Sequence, residues 1–494
     1  MLGISEADVR LRLSRDNPWW SDPHVAIPEA NYPKRAYFGQ FQALATDFNV
    51  RRATVMLGPR RVGKTFMIKQ LIAEQITAGT NAQSILYVSV DTPIYSGISL
   101  ERFLALMPEA SDKQPRLAIF DEIQYLRDWE VHLKDLVDSY NNVKFIATGS
   151  AAAALRLKSQ ESGAGRFSDF MLPPLTFYEF LMFLGEDKEL IRATPLPTSP
   201  PGLTRFSYEV LNIDRLNSRF VDYLNYGGYP EAVLNESIRA NPEQFIRNDI
   251  IDKVLLKDLP SLYGIQEIQE LNKLFTFLAY NAGNEASLEN ISQESGISKP
   301  TIKRYMEYLE SAFLILKLSN VDDNCRSLKR ERNFKVYLNN PSMRAALFAP
   351  VERDDPQRIG HLTECAIFSQ WQHSTMFSNL RYARWRGEGE VDIVFLAGPK
   401  HLPQWIGEVK WSDRISRNRW EEVRSLQTLL RKHRSIRSVF FTTKTVTDSF
   451  EIDGRCCTVS PSALYCYTVG RNITTRLAPI VTNESPLIEP ALPA

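Results

Sequence analysis

A phosphate-binding loop is indicated by eight consecutive residues. The segment fits the pattern G-x-x-x-x-G-K-[ST] and consists of Gly58, Pro59, Arg60, Arg61, Val62, Gly63, Lys64 and Thr65. The apolar run TVML precedes it and FMIKQLIAEQI follows it, so the loop joins a strand to a helix whose N-terminus presents N–H groups to phosphates. Lys64 would contact the β- and γ-phosphates of ATP, and the Thr65 hydroxyl would ligate Mg²⁺. The alternative is a glycine-rich turn with an incidental lysine.

An acidic pair at the end of a later strand is the second candidate part of this site. The apolar run RLAIF leads directly into Asp121 and Glu122. Asp121 would hold Mg²⁺ through water, and Glu122 would polarise the attacking water. A helix-capping pair is the alternative interpretation. A further strand, KFIATGS, carries Thr148 and Ser150, whose hydroxyls could sense the γ-phosphate.

Arg166, within Gly165-Arg166-Phe167, is a candidate arginine finger. Such a residue stabilises the charge that develops on a transferred phosphoryl group. Most single arginines are surface residues, so the local sequence leaves both interpretations open.

A third group of chemically capable residues lies in the C-terminal half. The strand-like runs GEVDIVF and WIGEVKW place Asp392 in one strand and Glu408 and Lys410 in the next. Residues two apart share a face of a strand, so Glu408 and Lys410 point the same way and Asp392 can oppose them. The carboxylates could hold Mg²⁺ or Mn²⁺, with Glu364 as a further ligand, while Lys410 positions or activates a water. A buried ion-pair cluster is the alternative.

A helix-turn-helix is predicted from the segment SLENISQESGISKPTIK. A short amphipathic helix ends at Gly296, and Ser298 caps a second helix. Lys299, Lys303 and Arg304 lie in the first turns of that helix, where a recognition helix meets phosphates and base edges of DNA. The strand-like runs FLILKLS and NFKVYLNN could form a wing. Packing or protein binding by this unit is as well supported as DNA contact.

These residues need elements that position them, and the hydrophobic pattern supplies candidates. Residues 36–185 alternate continuous apolar runs with helical patterns, which predicts an α/β fold with buried parallel strands and right-handed crossovers. A proline-rich stretch at 193–204 marks a predicted boundary. The predicted domains are an N-terminal arm (1–35), a P-loop α/β domain (36–192), a helical and winged-helix region (205–345), a second α/β domain (346–470) and a flexible tail (471–494).

Composition is that of a globular chain. The 494 residues are 44% hydrophobic and 24% charged, which excludes collagen-like, disordered and disulfide-scaffold classes. Lys plus Arg number 59 and Asp plus Glu 58, so any nucleic-acid surface must be local. Residues 381–444 carry fourteen Lys or Arg against seven Asp or Glu. This surplus fits a phosphate-contacting surface or a solvated helix face.

Cysteine usage and hydropathy bear on the compartment. The five cysteines form no CxxC pair, which argues against a zinc site and favours a reduced, cytoplasmic chain. The charged start MLGISEADVR is not a signal peptide, and no apolar stretch reaches the roughly 18 residues of a membrane span. We therefore expect no membrane association.

Taken in order, these motifs resemble a family of prokaryotic AAA-type P-loop ATPases, similar to signal-transduction ATPases, with a C-terminal domain similar to the PD-(D/E)XK nuclease fold. The matching stretches are NPWW, GPRRVGKT, FDEIQYLRDWE, ATGSAAAAL, GRF with LPPLTFYEF, YLNYGGYPEAV, and EVDIVFL with GEVKW. For the first domain, the resemblance implies ATP binding at Lys64 and Thr65, a sensor near Ser150, and Arg166 as the finger. It gives Asp121 and Glu122 the Mg²⁺ and water roles.

For the last domain, the resemblance implies a restriction-endonuclease-like α/β core. Its site would comprise Glu364, Asp392, Glu408 and Lys410, and all four positions are filled. An intact motif does not by itself establish cleavage.

Three functions follow as hypotheses. The first is an ATP-hydrolysing switch that regulates a metal-dependent nuclease or DNA-binding domain. The second is an ATP-gated adaptor whose nuclease-like domain is inactive and binds DNA or a protein partner. The third is a DNA-remodelling ATPase that works as a ring, and hence as a homo-oligomer.

Overall fold

The computed structural model describes residues 5–108, 116–149, 165–196, 206–322, 324–325, 333–385, 389–398 and 401–476. They form two compact units that divide between Pro173 and Pro174. The proline-rich stretch 193–204, predicted as the first boundary, comes later in the chain, and the predicted domain limits stay predictions. No helix of the described ranges is long and apolar enough to cross a membrane.

The first unit is an α/β layer structure. Its α-helices within the described residues are α1 (Glu6–Asp16), α2 (Phe38–Ala45), α3 (Lys64–Thr77), α4 (Leu100–Ala105) and α5 (Trp129–Ser139). Its strands are β1 (Ala53–Leu57), β2 (Ile85–Ser89), β3 (Arg116–Asp121), β4 (Val143–Gly149) and β5 (Phe167–Met171). Turns of 3-10 helix lie at Pro18–Trp20, Pro28–Asn31, Ala82–Ser84, Pro93–Tyr95 and Ile123–Tyr125.

The five strands form one sheet in the order β2-β3-β4-β1-β5, and every neighbouring pair is parallel. All five residues of β1 are buried, as expected for a strand covered on both faces. The predicted parallel α/β arrangement is therefore confirmed for this unit. Because the strands are parallel, the segments that follow β1, β3 and β4 all lie at the carboxyl ends of the strands. This is the side of the sheet where α/β proteins bind ligands.

The N-terminal arm covers the open edge of this sheet at β2. The Asn17 side chain donates to the Tyr87 carbonyl at 2.9 Å and accepts from the Tyr87 N–H at 2.6 Å. The indole N–H groups of Trp19 and Trp20 both donate to the Ile85 carbonyl. The arm also contains the regular helix α1, which the sequence analysis did not predict. The missed signal is a capping box, in which Ser5 and Asp8 satisfy each other's backbone N–H groups.

The second unit begins with helices. Its α-helices within the described residues are α6 (Phe177–Phe183), α7 (Asp187–Leu190), α8 (Ile213–Tyr226), α9 (Pro230–Leu234), α10 (Glu236–Arg239), α11 (Pro242–Ile246), α12 (Leu259–Tyr263), α13 (Ile268–Tyr280), α14 (Leu288–Ser295), α15 (Lys299–Ser311), α16 (Ser342–Phe348), α17 (Pro356–Trp371), α18 (Arg419–Glu422), α19 (Arg424–Lys432) and α20 (Ser462–Arg476). Turns of π-helix lie at Arg247–Asp252 and Val254–Asp258, and turns of 3-10 helix at Thr375–Asn379 and Arg414–Ser416. Because α20 extends to Arg476, the first six residues of the predicted flexible tail, 471–476, are helical, which corrects that prediction for them.

The strands of this unit form a hairpin and a nine-stranded sheet. Their bounds are β6 (Ile191–Pro195), β7 (Phe206–Val210), β8 (Glu285–Ala286), β9 (Ile315–Val321), β10 (Phe334–Leu338), β11 (Leu380–Trp385), β12 (Gly389–Ala397), β13 (Leu402–Glu408), β14 (Ser438–Thr443), β15 (Asp448–Ile452) and β16 (Arg455–Pro461). The large sheet has the order β15-β16-β14-β13-β12-β11-β9-β10-β8 and mixes parallel with antiparallel pairs. A buried core that includes Val394, Ile406, Leu426, Leu429 and Val439 holds α19 against it.

The segment predicted as a helix-turn-helix contains two consecutive helices, α14 and α15, and its assignment as a winged helix stays a prediction. Gly296 ends α14 in the left-handed conformation, and the Ser298 hydroxyl accepts from the Thr301 N–H at the start of α15. The surrounding order is helix α13, strand β8, helices α14 and α15, then the antiparallel strands β9 and β10. The hydrophobic spacing of Ile302, Met306 and Leu309 explains the buried face of α15.

Candidate functional site

The glycine-rich loop lies where the sequence placed it, between β1 and α3. Gly63 has a φ of 97°, a left-handed conformation that favours glycine, and it precedes Lys64 at the start of α3. A Cβ added to Gly58 would lie 2.2 Å from the Leu172 carbonyl oxygen, so the backbone here passes too close for any side chain. The loop is therefore shaped by backbone contacts that only glycine allows.

Lys64 is folded over this loop. Its ammonium donates to the carbonyl oxygens of Gly58 at 3.0 Å and Pro59 at 2.7 Å, and only 6% of the residue is exposed. The lysine ammonium has three N–H donors at the end of a flexible side chain. It can therefore leave these carbonyl oxygens and donate to phosphate oxygens while the backbone stays in place. The lysine is thus held at the loop in a position to meet a phosphate.

Asp121 gathers hydroxyl groups from three elements. Its carboxylate accepts from Thr65 at 2.8 Å, from Tyr87 at 2.8 Å, and from Thr148 through a short contact. The residue is 2% exposed. The structure therefore brings together the two residues expected to serve Mg²⁺, Thr65 and Asp121. A hydroxyl beside a carboxylate is a set of hard oxygen donors that suits this ion.

Of the hydroxyl groups around Asp121, the sequence indicated that of Thr148 but not that of Tyr87. Thr148 was singled out with Ser150, which lies outside the described residues. Tyr87 was missed, because a tyrosine inside the apolar run ILYVSV is indistinguishable from a core residue. Burial, together with the neighbouring Asp121 carboxylate, raises the pKa of the Tyr87 hydroxyl, so it stays protonated and donates.

Glu122 follows Asp121 directly and has a left-handed backbone, with φ of 56°. Its N–H donates to the Thr148 hydroxyl at 3.1 Å, and its carboxylate accepts from the Gln124 side chain. A non-glycine residue in this conformation is uncommon and is found at functional sites. Glu122 thus lies directly beside Asp121, which contacts Thr65 at the end of the glycine-rich loop. This position is compatible with the predicted role of Glu122 in water activation.

Lys69, one turn beyond Thr65 on α3, was not predicted. Its ammonium lies 3.4 Å from the centroid of the Tyr87 ring and 5.0 Å from that of Trp19. Burial lowers its pKa to about 8, although Glu29 and Asp121 oppose that shift. Lys69 therefore links the arm to the tyrosine that supports Asp121.

Arg35 is a second missed residue of this site. It is 4% exposed and donates to the Val62 carbonyl at 2.7 Å and to the Pro173 carbonyl at 2.9 Å. A buried arginine that satisfies two backbone carbonyls stabilises the loop from outside its own sequence. An isolated arginine before a helix gives no local signal for this function.

Arg166 lies at the amino ends of the parallel strands, whereas the loop follows the carboxyl end of β1. Its carbonyl accepts from the Ala53 N–H at the amino end of β1, five strand residues or roughly 16 Å before Gly58. The guanidinium pairs with Asp138. It does not reach the nucleotide loop of its own chain, so a finger role would have to serve a neighbouring subunit.

The C-terminal residues also meet. Strands β12 and β13 are antiparallel with Ile393 opposite Gly407, which places Asp392 across from Glu408. The Lys410 ammonium lies 2.5 Å from Glu408 and 3.7 Å from Asp392. Asp392 also accepts from the Val409 N–H at 2.8 Å. The predicted juxtaposition across this hairpin is therefore observed.

A second lysine, Lys335 on β10, enters the same cluster and was missed by the sequence analysis. It is 3% exposed, pairs closely with Glu390, and lies 3.5 Å from Glu364 and 3.8 Å from Asp392. Since β10 is more than fifty residues before β12, nothing in the local sequence indicated it. The described side chains thus form an ion-paired cluster, the arrangement given above as the alternative to a metal site.

The charge balance of this carboxylate cluster is unusual. Burial and the neighbouring Asp392 raise the pKa of both Glu364 and Glu408. Partial removal from water would lower the pKa of Lys410, but Asp392 and Glu408 more than offset this and raise it. The Glu408 Oε2 atom is buried and has no hydrogen-bond partner among the residues that the structure describes. Such an orphaned oxygen could take a cation, although no group of three or more His, Cys, Asp or Glu in the described ranges is arranged to hold a metal.

The three basic residues predicted to bind DNA lie at the start of α15. Lys303 and Arg304 are exposed. Lys299 is 48% exposed in its side chain and pairs with Glu289 of α14. These side chains are accessible, and their binding partner stays a prediction.

Comparison with known proteins assigns two regions. Residues 50–181 match the model of an AAA domain, a family of P-loop ATPases, and residues 217–354 match a domain of unknown function (DUF8612). The first match contains the loop, Asp121 and Glu122, and the five-stranded parallel sheet with its helices fits a P-loop α/β domain.

The chain is also similar to uncharacterized proteins of two organisms. One from Methanocaldococcus jannaschii is 25% identical over 71% of this chain and 73% of its own length. One from Haemophilus influenzae is 27% identical over 54% of this chain, and a second from M. jannaschii is 24% identical over 58%. The chain spans 62% and 61% of the lengths of these last two.

Among solved structures, the chain is similar to Caenorhabditis elegans PCH-2, with 14% identity and a TM-score of 0.21. That match covers 56% of this chain and 65% of the other.

Proposed function

We propose that this chain is an ATP-hydrolysing AAA-type ATPase whose nucleotide site is the loop 58–65 with Asp121 and Glu122. The observation that carries this proposal is the contact between the Thr65 hydroxyl and Asp121, which unites the ends of β1 and β3 in one site. The AAA-domain match over residues 50–181 supports it independently.

The proposed reaction follows from these positions. Lys64 exchanges its two carbonyl partners for phosphate oxygens of ATP, while the N–H groups of the loop contact the same phosphates. Glu122 accepts a proton from the water that attacks the γ-phosphorus, and the bond to the ADP oxygen breaks to give ADP and inorganic phosphate. Thr65, and Asp121 through water, would hold Mg²⁺, which would neutralise charge on the β- and γ-phosphates.

The test is ATP binding and phosphate release by Lys64→Ala and Glu122→Gln. Lys64→Ala should lose binding of a fluorescent ATP analogue, and Glu122→Gln should keep binding while turnover falls about 100-fold or more. Lys34→Ala, a partly exposed lysine paired with Glu74, is the matched control and should behave as the parent protein. Unchanged turnover in Lys64→Ala would reject the proposed site.

A second candidate function belongs to the other unit. The buried Glu408 Oε2 atom, close to the Asp392 carboxylate and to Lys410, supports metal-dependent cleavage of DNA. Glu364, Asp392 and Glu408 are ion-paired with Lys335 and Lys410 in this structure, so they would have to rearrange to hold Mg²⁺ or Mn²⁺, which would supply an activated water. The winged-helix order of α13, α14, α15, β9 and β10, with basic residues on α15, supports DNA as the partner.

Cleavage is tested with linear, circular and single-stranded DNA in Mg²⁺ and in Mn²⁺, with and without ATP. The parent protein should cut, Lys410→Ala should not, and Lys64→Ala shows whether ATP gates the cut. DNA binding without cleavage under every condition would instead favour the ATP-gated adaptor, in which the carboxylate cluster is structural.

A further inference from the structure

The surface that follows Lys410 combines strong positive charge with one exposed tryptophan. Residues 411–437, all of which the structure describes, contain eight Lys or Arg and three Asp or Glu. Among them, Arg414, Arg417 and Arg424 are exposed, and none of these three has an ion pair with a carboxylate of the described residues. The charge of these arginines is therefore available to an anionic partner.

Trp420, on the short helix α18, is 60% exposed. It is the one large apolar side chain of residues 411–437 that is exposed. Its ring meets Phe450 edge-on at 6.3 Å, and the neighbouring Arg419 lies 4.2 Å from the Phe450 centroid and 2.6 Å from Asp448. The indole is thus fixed along one edge while most of it faces solvent.

One part of this surface, the first turn of α19, lies close to the strand that contributes to the carboxylate cluster. The helix α19 begins at Arg424, and its second residue, Ser425, packs so closely on Gly389 that a Cβ there would lie 2.3 Å from the Ser425 hydroxyl. Gly389 precedes Glu390, the partner of Lys335. The first turn of α19 is therefore adjacent to the strand that supplies Glu390 and Asp392.

From these observations we infer that Trp420, with Arg414, Arg417 and Arg424, binds a nucleic-acid strand with unpaired bases. The arginines contact successive phosphates, and a base stacks on the Trp420 indole. Duplex DNA keeps its bases stacked and therefore presents no free base face to an exposed indole. A protein or lipid partner would bury several apolar side chains, whereas this surface offers one. The inference does not depend on ATP hydrolysis.

The test is binding of the full-length protein to a fluorescein-labelled oligothymidylate of about 20 nucleotides, and to a duplex of equal length, without ATP. Trp420→Ala should weaken single-strand binding about 5- to 100-fold and leave duplex binding unchanged, while Trp420→Phe should stay within about threefold of the parent. Tyr280→Ala removes another exposed aromatic ring, 67% exposed, and is the matched control.

The arginines are tested by salt dependence. A variant with Arg414, Arg417 and Arg424 all changed to Ala should lower the slope of log affinity against log salt by about 2, which corresponds to three single-strand phosphate contacts. Unchanged single-strand affinity in Trp420→Ala, an equal loss on duplex, or Trp420-dependent binding to vesicles of anionic lipid in place of the oligonucleotide would each overturn the inference. Lys64→Ala should bind the oligonucleotide normally, so failure of the ATPase proposal is distinguishable from failure here.

Discussion

Asp121 accepts hydrogen bonds from three hydroxyl groups of the candidate nucleotide site, which its motif alone does not indicate. Thr65 and Thr148 come from segments at the same edge of the sheet, whereas Tyr87 reaches it from inside β2. A buried carboxylate needs such donors to remain charged. The orientation of the proposed Mg²⁺ partner is thus set partly by a residue outside every nucleotide motif.

Tyr87→Phe is expected to weaken this support. Losing a hydrogen bond to a carboxylate should destabilise the chain by about 1.5–3 kcal/mol and raise the Mg²⁺ concentration for half-maximal ATPase activity several-fold. Tyr229→Phe is the control, because the buried Tyr229 hydroxyl has no hydrogen-bond partner within the described ranges and its removal should be neutral or stabilising. Thermal unfolding and Mg²⁺ titrations check both. Equal Mg²⁺ dependence in the parent and Tyr87→Phe would assign Tyr87 a packing role alone.

Glu408 predicts a pH dependence of stability. Burial and Asp392 raise its pKa from 4.5 to about 8, so between those pH values the folded chain binds more protons than the unfolded chain. The free energy of unfolding should therefore fall as the pH rises from about 5 to 8. Glu408→Gln should flatten this slope and stabilise the protein at pH 8 by about 1–3 kcal/mol.

The measurement is denaturant unfolding across that pH range, with exposed Glu421→Gln as the control. A parent protein whose stability is constant or rises over the same interval would show that Lys410 and Lys335 fully compensate the carboxylate.

At the scale of elements, the nucleotide loop depends on close backbone packing. Gly58→Ala would drive a Cβ into the Leu172 carbonyl, 2.2 Å away, so the loop must shift. We expect ATP affinity to fall about tenfold or more and the melting temperature to drop. Gly39→Ala is the matched control, since an added Cβ there would meet no atom of the described residues within 4 Å apart from its own chain neighbours and helix backbone, and alanine favours a helix by about 1 kcal/mol. Fluorescent-nucleotide binding and thermal melts distinguish the two, and normal affinity in Gly58→Ala would show that the loop adapts.

A site residue could be predicted where the residues next to it in the sequence indicate its role. The loop, Asp121, Glu122 and Thr148 lie in short apolar-strand contexts, and the hairpin of β12 and β13 aligns Asp392 with Glu408 by strand alternation alone. Tyr87, Lys69, Arg35 and Lys335 join their sites through contacts across many residues, and each is unremarkable in its own segment. Sequence patterns therefore found the motif residues and missed the residues that hold them.

At the scale of the whole molecule, Arg166 raises the question of assembly. Because it lies at the sheet edge opposite its own loop, we expect any catalytic contribution to be made to a neighbouring subunit. Arg166→Ala and Lys64→Ala should then each lack ATPase activity alone, and an equimolar mixture should regain part of it, since Lys64→Ala subunits supply Arg166 to intact loops. ATPase assays of the mixture check this. Full activity of Arg166→Ala alone would leave its pair with Asp138 as a surface ion pair.

The cover that the N-terminal arm gives to β2 has a consequence for handling the protein. The backbone of the edge strand β2 is hydrogen-bonded by the side chains of Asn17, Trp19 and Trp20. This strand has the mostly apolar sequence ILYVS. A chain shortened past Trp20 would present that strand as a template for pairing with another copy, the usual origin of aggregation at sheet edges. Such truncated material would form strand-paired multimers in solution, and size-exclusion chromatography would record them as an assembly that the full chain does not form by this route.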